Sequence, residues 1–314
     1  MYTMPYHPEE QAIEINKIFG KYALGNEPTV RELAAVVEHQ VELIRAEACE
    51  FRDADNEQKW RDALCDILIT AFGLPYLMGM EHRTPFIIAN TRSNPDDVRG
   101  SVFTVRDHLI ATGYGAATTL ATLEENKDFF VARDAIHMMH VDKLLAFSES
   151  LSTLEAQDYK ILISVTPEAI QEMSDDEYSA YAIAANILSS VSVLITECYI
   201  TSLGAHVNLD YDLKLATDAM ISRLCTNEQA VIDTIEKYKA IGVDVVARPS
   251  KVIVGSMAMI VDEDATGTDN EFYPKGKFVK SVEFHEPVYP ARPGVEWVHK
   301  SPVVNTEEDS IDIE

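Results

Sequence analysis

The chain has 314 residues, of which 46% are hydrophobic and 25% are charged, so it can bury a large core and is not a disordered polymer. Its 52 Asp and Glu against 26 Lys and Arg give a net charge of −26, which excludes general nucleic-acid binding because that needs a basic surface. The charge does not exclude a small phosphorylated substrate, since a few carboxylates can hold a divalent cation that supplies the positive charge.

Two classes of membrane-directing signal are not apparent in the sequence. No run of about 18 apolar residues occurs, so no transmembrane span is expected. The first 17 residues lack the basic region and apolar run of a secretion signal. The cysteines lie far apart in apolar stretches without metal-type spacing: Cys49, Cys65, Cys198 and Cys225. We therefore predict reduced core cysteines in a cytoplasmic protein that does not bind membranes.

The spacing of apolar residues predicts a mainly α-helical chain. Helices are predicted over residues 8–22, 30–52, 58–79, 128–150, 176–203, 211–225 and 227–241. Thr29 is the expected N-cap of the second helix. The second and third helices are joined by only a short polar turn, so they are expected to pack antiparallel. The helix over 176–203 is apolar on nearly all sides and is expected to be buried.

The end of the chain changes character. Short runs rich in Val and Ile predict a small β-appendage, with strands in 244–249, 251–263 and 277–284. A similarity between residues 66–79 and 191–204 indicates either a duplicated helical half or two buried helices of like composition. The predicted division is a helical half over 1–125, a second half with the β-appendage over 126–290, and an acidic tail over 291–314.

Acidic residues occur at helical spacing on both helices of the predicted hairpin. Glu47 and Glu50 are three residues apart, so they share one helix face. Asp62 and Asp66 are four apart and share a face of the next helix. Antiparallel pairing puts Glu50 level with Asp62, and it puts Glu47 level with Asp66. If both faces point inward, the carboxylates repel one another unless a cation such as Mg²⁺ joins them. The alternative is a solvated acidic face.

The same stretches, LIRAEACEFRDA (43–54) and DALCDILITAFG (62–73), carry a family resemblance. They resemble the signature of the MazG-like, all-α nucleoside triphosphate pyrophosphohydrolases, in particular phage-encoded members. That signature is a Glu-x-x-Glu helix, a spacer, and a Glu-x-x-Asp helix that leads into Ala-Leu-x-Asp. The matching acids, which the resemblance implies to be catalytic and to bind Mg²⁺ or Mn²⁺, are Glu47, Glu50, Asp62 and Asp66. The implied fold is an antiparallel helical bundle of MazG-like type.

One position departs from this signature. Lys59 stands where the second helix should supply a Glu, and Lys59 is expected either to pair with Asp53 or to contact a phosphate. A fainter resemblance covers about 210–285, where a Ser-Lys/Arg-Leu segment and a Lys-rich strand of these proteins match Arg223, Lys277 and Lys280. It implies that these three cations contact phosphates. The alternative for the lysines is that they are solubilising residues on an exposed strand.

The resemblance implies Mg²⁺-dependent hydrolysis of (deoxy)nucleoside triphosphates to the monophosphate and pyrophosphate. It also implies a homo-oligomer, a dimer or tetramer, located in the host cytoplasm if the protein is phage-encoded. The second half lacks the acids, so one site per chain is expected. Two other hypotheses stay open. The chain could bind or sequester nucleotides without hydrolysing them, which Lys59 favours, or it could be a purely structural helical partner protein.

Overall fold

A computed structural model describes residues 4–5, 7–80, 128–161, 167–205 and 207–291. The protein is mainly helical, with a small strand region near the C-terminus. The helices are α1 (Pro8–Ile18), α2 (Val30–Asp53), α3 (Glu57–Met78), α4 (Asp128–Ser152), α5 (Pro167–Glu172), α6 (Asp175–Gly204), α7 (Leu209–Ile221) and α8 (Glu228–Lys239). The strands are β1 (Val245–Pro249), β2 (Met257–Val261), β3 (Ala265–Thr266) and β4 (Phe272–Tyr273).

The predicted hairpin of α2 and α3 is present, and both of its helices carry the expected local signals. Thr29 caps α2 in a capping box with Glu32, in which each side chain accepts a hydrogen bond from the other residue's backbone. Asn56 caps α3, accepting from the backbone of Lys59. At the far end of α3, Gly79 adopts a left-handed conformation (φ 69°), which favours glycine and ends the helix. The connection is only three residues long, so α2 and α3 lie side by side.

Four long helices form a closed ring around the main core. α3 packs against α2 on one side and α6 on the other, and α4 closes the ring by packing against the same two helices. α1 and α7 lie outside this ring, against α3 and against each other. The core contains large fully buried side chains from all four ring helices, among them Phe51, Trp60, Leu144 and Tyr181. α3 is therefore covered by helices over most of its surface.

α6 is the apolar helix expected to be buried, and its inner face packs in the main core from Ala180 to Cys198. Among the described helices, it alone is long and apolar enough to cross a membrane by length and composition. Core helices of soluble proteins meet the same criterion; α6 packs against α3 and α4, and 44% of its apolar window is buried.

The strand region forms a second, smaller core. β1 and β2 pair antiparallel, with Val245 opposite Val261, and α8 packs on this ribbon. β3 and β4 form a second short antiparallel pair. The third predicted strand, over 277–284, was wrong, since only an isolated bridge joins Phe278 to Ile260. The polar and charged residues that follow Phe278 bond to helix ends rather than to a strand edge.

The chain then returns to the helical bundle. Residues 281–291, here called the C-terminal segment, run past the end of α7 and across the start of α3, where Tyr289 joins the main core. Helices on both sides of residue 125 contribute to that core. The predicted boundary at 125 and the acidic tail from 292 onward lie outside the described residues. All four cysteines are free; Cys49 is half-buried and the others are buried.

Candidate active site

The four predicted acids lie together on the α2–α3 hairpin. Glu47 and Glu50 project from α2, and Asp62 and Asp66 from α3. Glu47 is half-buried and Glu50 is exposed, so the cluster runs from the helix interface out to solvent. The sequence predicted Glu47 level with Asp66; after burial, the Glu47 carboxylate is the strongest influence raising the pKa of Asp66.

Burial and the neighbouring carboxylates both disfavour the charged forms of the acids in this cluster. Burial, and then the neighbouring Glu50 carboxylate, raise the pKa of Glu47 to about 7. Burial, followed by the charges of Glu47 and Asp62, raises the pKa of Asp66 well above its ordinary value. Loss of a proton from one of these carboxyl groups therefore makes loss of a proton from its neighbours less favourable. A bound cation would stabilise the ionised form of such a cluster more than water does.

Asp62 has a more mixed environment than the other acids. Burial raises its pKa, while a hydrogen bond from the Tyr289 hydroxyl to Oδ1, 2.7 Å long, acts in the opposite direction. The Glu286 carboxylate raises this pKa further, and Arg223 and Lys280 lower it. Three of these four neighbours belong to the chain beyond residue 279. The site is thus assembled from the hairpin and from a distant part of the chain.

Arg223 is the cation most closely associated with the acids, since it lowers the pKa of Glu47, Asp62 and Asp66. It follows α7 directly, and the C-terminal segment fixes this turn: the Ser281 hydroxyl donates to Ser222 O at 2.9 Å. The guanidinium lies 5.6 Å from the centre of the Phe284 ring. Its Nε is buried and has no hydrogen-bond acceptor among the described residues. Arg223 therefore keeps a donor free beside the carboxylates.

The other three predicted phosphate contacts are placed differently. Lys280 lies near Asp62, and its ammonium pairs with Glu286 at 2.7 Å. Lys277 pairs instead with Glu271 at 2.8 Å in the strand region. Lys59 is exposed, and its ammonium lies 3.0 Å from Asp55, so the expected pair with Asp53 was wrong. Asp53 pairs with the neighbouring Arg52 at 2.7 Å. The structure thus brings Arg223 and Lys280 to the acids.

The donor set suits a hard divalent cation, because it consists of carboxylate oxygens with excess negative charge. Within the part of the chain that the structure describes, no three His, Cys, Asp or Glu side chains are already arranged as a closed metal-binding group. Mg²⁺ does not require such a group, since it keeps several waters and is usually held by one or two carboxylates together with substrate phosphates. The residues present fit that mode of binding.

Sequence reasoning did not identify several residues of this site. Tyr289 and Glu286 lie more than 220 residues from Asp62, and no local pattern marks them. Arg61, the neighbour of Asp62 on α3, forms a buried ion pair with Asp212 on α7, with Nε to Oδ2 at 2.6 Å. In the sequence, this ion pair is indicated only by the position of Arg61 among the apolar residues of α3.

The raised pKa of Glu47 predicts the pH dependence of stability. A carboxyl whose pKa rises from 4.5 to about 7 on folding favours the folded state most below pH 4.5, and this contribution is lost as the pH rises through 7. We expect the metal-free protein to lose on the order of 1–3 kcal/mol from this group between pH 5 and 8. Urea unfolding at several pH values should show this loss, and Glu47→Gln should flatten it. An identical pH profile in Glu47→Gln would contradict the assignment.

The resemblance to MazG-like pyrophosphohydrolases rests on residues that the fold places on the facing helices α2 and α3. The fainter resemblance near the C-terminus includes Arg223 and Lys280, which lie beside those acids, and Lys277, which pairs with Glu271. Comparisons of the chain with family models, with curated protein sequences and with solved structures give no match.

Proposed function

We propose that the protein hydrolyses (deoxy)nucleoside triphosphates to the monophosphate and pyrophosphate in a Mg²⁺-dependent reaction. The observation that carries this proposal is the cluster of four carboxylates on the α2–α3 hairpin, with an arginine donor left free beside it. Excess acidic charge next to cationic side chains is the arrangement expected of a site that takes a metal ion together with phosphates.

The four acids would have different roles, according to their surroundings. Glu47, Glu50 and Asp62 would hold Mg²⁺, and Asp66 would be a further ligand or would orient the attacking water. A bound Mg²⁺ (or Mn²⁺) neutralises charge on the phosphates and lowers the pKa of water.

The cations would hold the triphosphate. Arg223 would contribute positive charge to the phosphates, because its guanidinium lies near enough to Glu47, Asp62 and Asp66 to lower their pKa values. Lys280 would exchange its exposed pair with Glu286 for a phosphate, at small cost because surface ion pairs contribute little. Lys277 and Lys59 remain weaker candidates, since each would have to leave a carboxylate in a different part of the surface.

The bundle of α2, α3, α4 and α6 supports a MazG-like architecture, because the acids lie on two adjacent helices of a closed four-helix ring. We further propose that the chain works as a homo-oligomer, a dimer or tetramer, in the cytoplasm. Two apolar side chains of α6, Val193 at 39% and Leu203 at 41%, are exposed, which supports self-association through this helix.

The proposal is tested by incubating the purified protein with each nucleoside and deoxynucleoside triphosphate, with and without Mg²⁺. Products are separated by anion-exchange chromatography, and pyrophosphate is measured with a coupled assay. We expect equal amounts of monophosphate and pyrophosphate, formed only with the metal. Release of diphosphate and orthophosphate would refute cleavage between the α and β phosphorus atoms. Retention of intact nucleotide would favour the sequestering protein, and neither binding nor turnover would favour a structural role.

A further inference from the structure

The hydroxyl of Tyr289 donates to Oδ1 of Asp62 at 2.7 Å, across 227 residues of sequence. Tyr289 is only 2% exposed, so its hydroxyl must find an acceptor within the protein. The acceptor it finds is one of the four clustered acids rather than a backbone carbonyl. Oδ2 of Asp62 makes no hydrogen bond within the described residues, so one oxygen of the carboxylate is engaged and the other is left available.

The position of Tyr289 is fixed independently of this hydrogen bond. The Gln58 side chain receives a hydrogen bond from Tyr289 N and donates one to Tyr289 O, both 2.9 Å long. Arg61 donates from Nη1 to the carbonyl of Pro290 at 2.6 Å, and its guanidinium lies 5.1 Å from the centre of the Tyr289 ring. Arg61 is itself held by the buried pair with Asp212. These contacts hold the phenol over α3 without help from Asp62.

We propose that Tyr289 is a positioning residue of the site: its hydroxyl fixes the orientation of the Asp62 carboxylate so that the second oxygen is presented to a divalent cation. This inference rests on the proposed function for the identity of the ligand. Metal-binding carboxylates and histidines are commonly oriented by such outer partners, whose loss typically weakens metal affinity about 10- to 100-fold. The C-terminal segment is then part of the site rather than an appendage to the bundle.

The test uses Mn²⁺ as the probe, because its binding is measured directly by electron paramagnetic resonance without nucleotide or turnover. Tyr289→Phe removes the hydroxyl and keeps the ring in the core. Tyr199→Phe is the matched control, since the Tyr199 hydroxyl also donates to an aspartate, Asp210, at 2.8 Å, on α7. We expect Tyr289→Phe to weaken Mn²⁺ binding about 10-fold or more and Tyr199→Phe to leave it unchanged.

A purely structural role for Tyr289 is separated by a double-mutant cycle with Asp62→Ala. If the hydroxyl acts through Asp62, Tyr289→Phe has no further effect on Mn²⁺ affinity once Asp62 is gone. An equal effect in both backgrounds would overturn the inference. Gln58→Ala, which loosens the backbone of Tyr289 and keeps its hydroxyl, provides a second variant if Tyr289→Phe folds poorly, and it should weaken Mn²⁺ binding in the same direction. Wild-type affinity in both variants would also overturn the inference.

The result also separates this inference from the proposed function. Wild-type protein that binds Mn²⁺ but releases no pyrophosphate would refute the reaction and leave the role of Tyr289 intact. Wild-type protein that hydrolyses nucleotides, together with Tyr289→Phe that binds Mn²⁺ normally, would refute the role of Tyr289 and leave the reaction intact. Wild-type protein that binds no Mn²⁺ would overturn the inference about Tyr289.

Discussion

Glu50→Gln is expected to abolish Mg²⁺-dependent release of pyrophosphate while leaving the protein folded. The Glu50 carboxylate lies at the solvent end of the acid cluster, where it raises the pKa of Glu47. Replacing it with an amide removes a charged ligand but keeps the size of the side chain. Because removing even an outer partner of a metal ligand costs about 10- to 100-fold, losing a ligand should reduce turnover at least about 100-fold.

The same variant should not destabilise the metal-free protein, since it removes one member of a repelling group. Thermal unfolding followed by circular dichroism would measure this together with the pyrophosphate assay. Glu38→Gln is the matched control, because Glu38 is an exposed glutamate on the same helix, α2, more than three turns away. Turnover of Glu50→Gln within a few-fold of wild type would remove Glu50 from the metal ligands. Equal losses in both variants would indicate a general effect of charge.

The largest effect on stability is expected at the buried ion pair between Arg61 and Asp212. The Arg61 side chain is 5% exposed and that of Asp212 is fully buried, and two hydrogen bonds of 2.5 and 2.6 Å join them. The pair links α3 to the first turn of α7, the helix whose other end leads into Arg223. Removing one partner leaves the other charge buried without its counter-charge, which typically costs 3–5 kcal/mol, so we expect about that loss for Asp212→Asn.

Urea unfolding followed by circular dichroism would measure this loss. The double variant Arg61→Met with Asp212→Leu should recover much of it, because an apolar pair of similar volume avoids the cost of burying charge. Asp218→Asn is the control on the same helix: its pair with Lys214 is about half exposed and should contribute less than about 1 kcal/mol. If Asp212→Asn were as mild as Asp218→Asn, Arg61 would not depend on Asp212.

The difference between these two sites follows from what surrounds the charges. At Arg61 and Asp212, opposite charges meet in the core and satisfy each other, so the pair supports the fold. At Glu47 and Asp66, like charges meet beside Arg223, whose Nε has no acceptor among the described residues, so the fold tolerates a repulsion that a ligand could relieve. Functional sites commonly contain residues that destabilise the ligand-free protein but are needed for binding or activity.

The sequence by itself determined the helices and the hairpin, because helix periodicity, capping residues and a short connection are local features. Thr29 marked the start of α2, and the short connection with the spacing of the acids predicted that Glu47 lies level with Asp66. The same local reasoning failed for 277–284, where a short apolar run resembles a strand but pairs with β2 only around Phe278 before the chain turns to the helix ends. It also missed the short helix α5.

Only the tertiary structure decided which distant residues complete the site. Lys277 and Lys280 are three residues apart and equally plausible from the sequence, yet one pairs with Glu271 and the other reaches the neighbourhood of Asp62. The contact of Tyr289 with Asp62 depends on the chain returning across α3, which no local pattern encodes. The physical reason is that helix formation depends on neighbours within a few residues, whereas burial and electrostatic coupling depend on the packing of the whole chain.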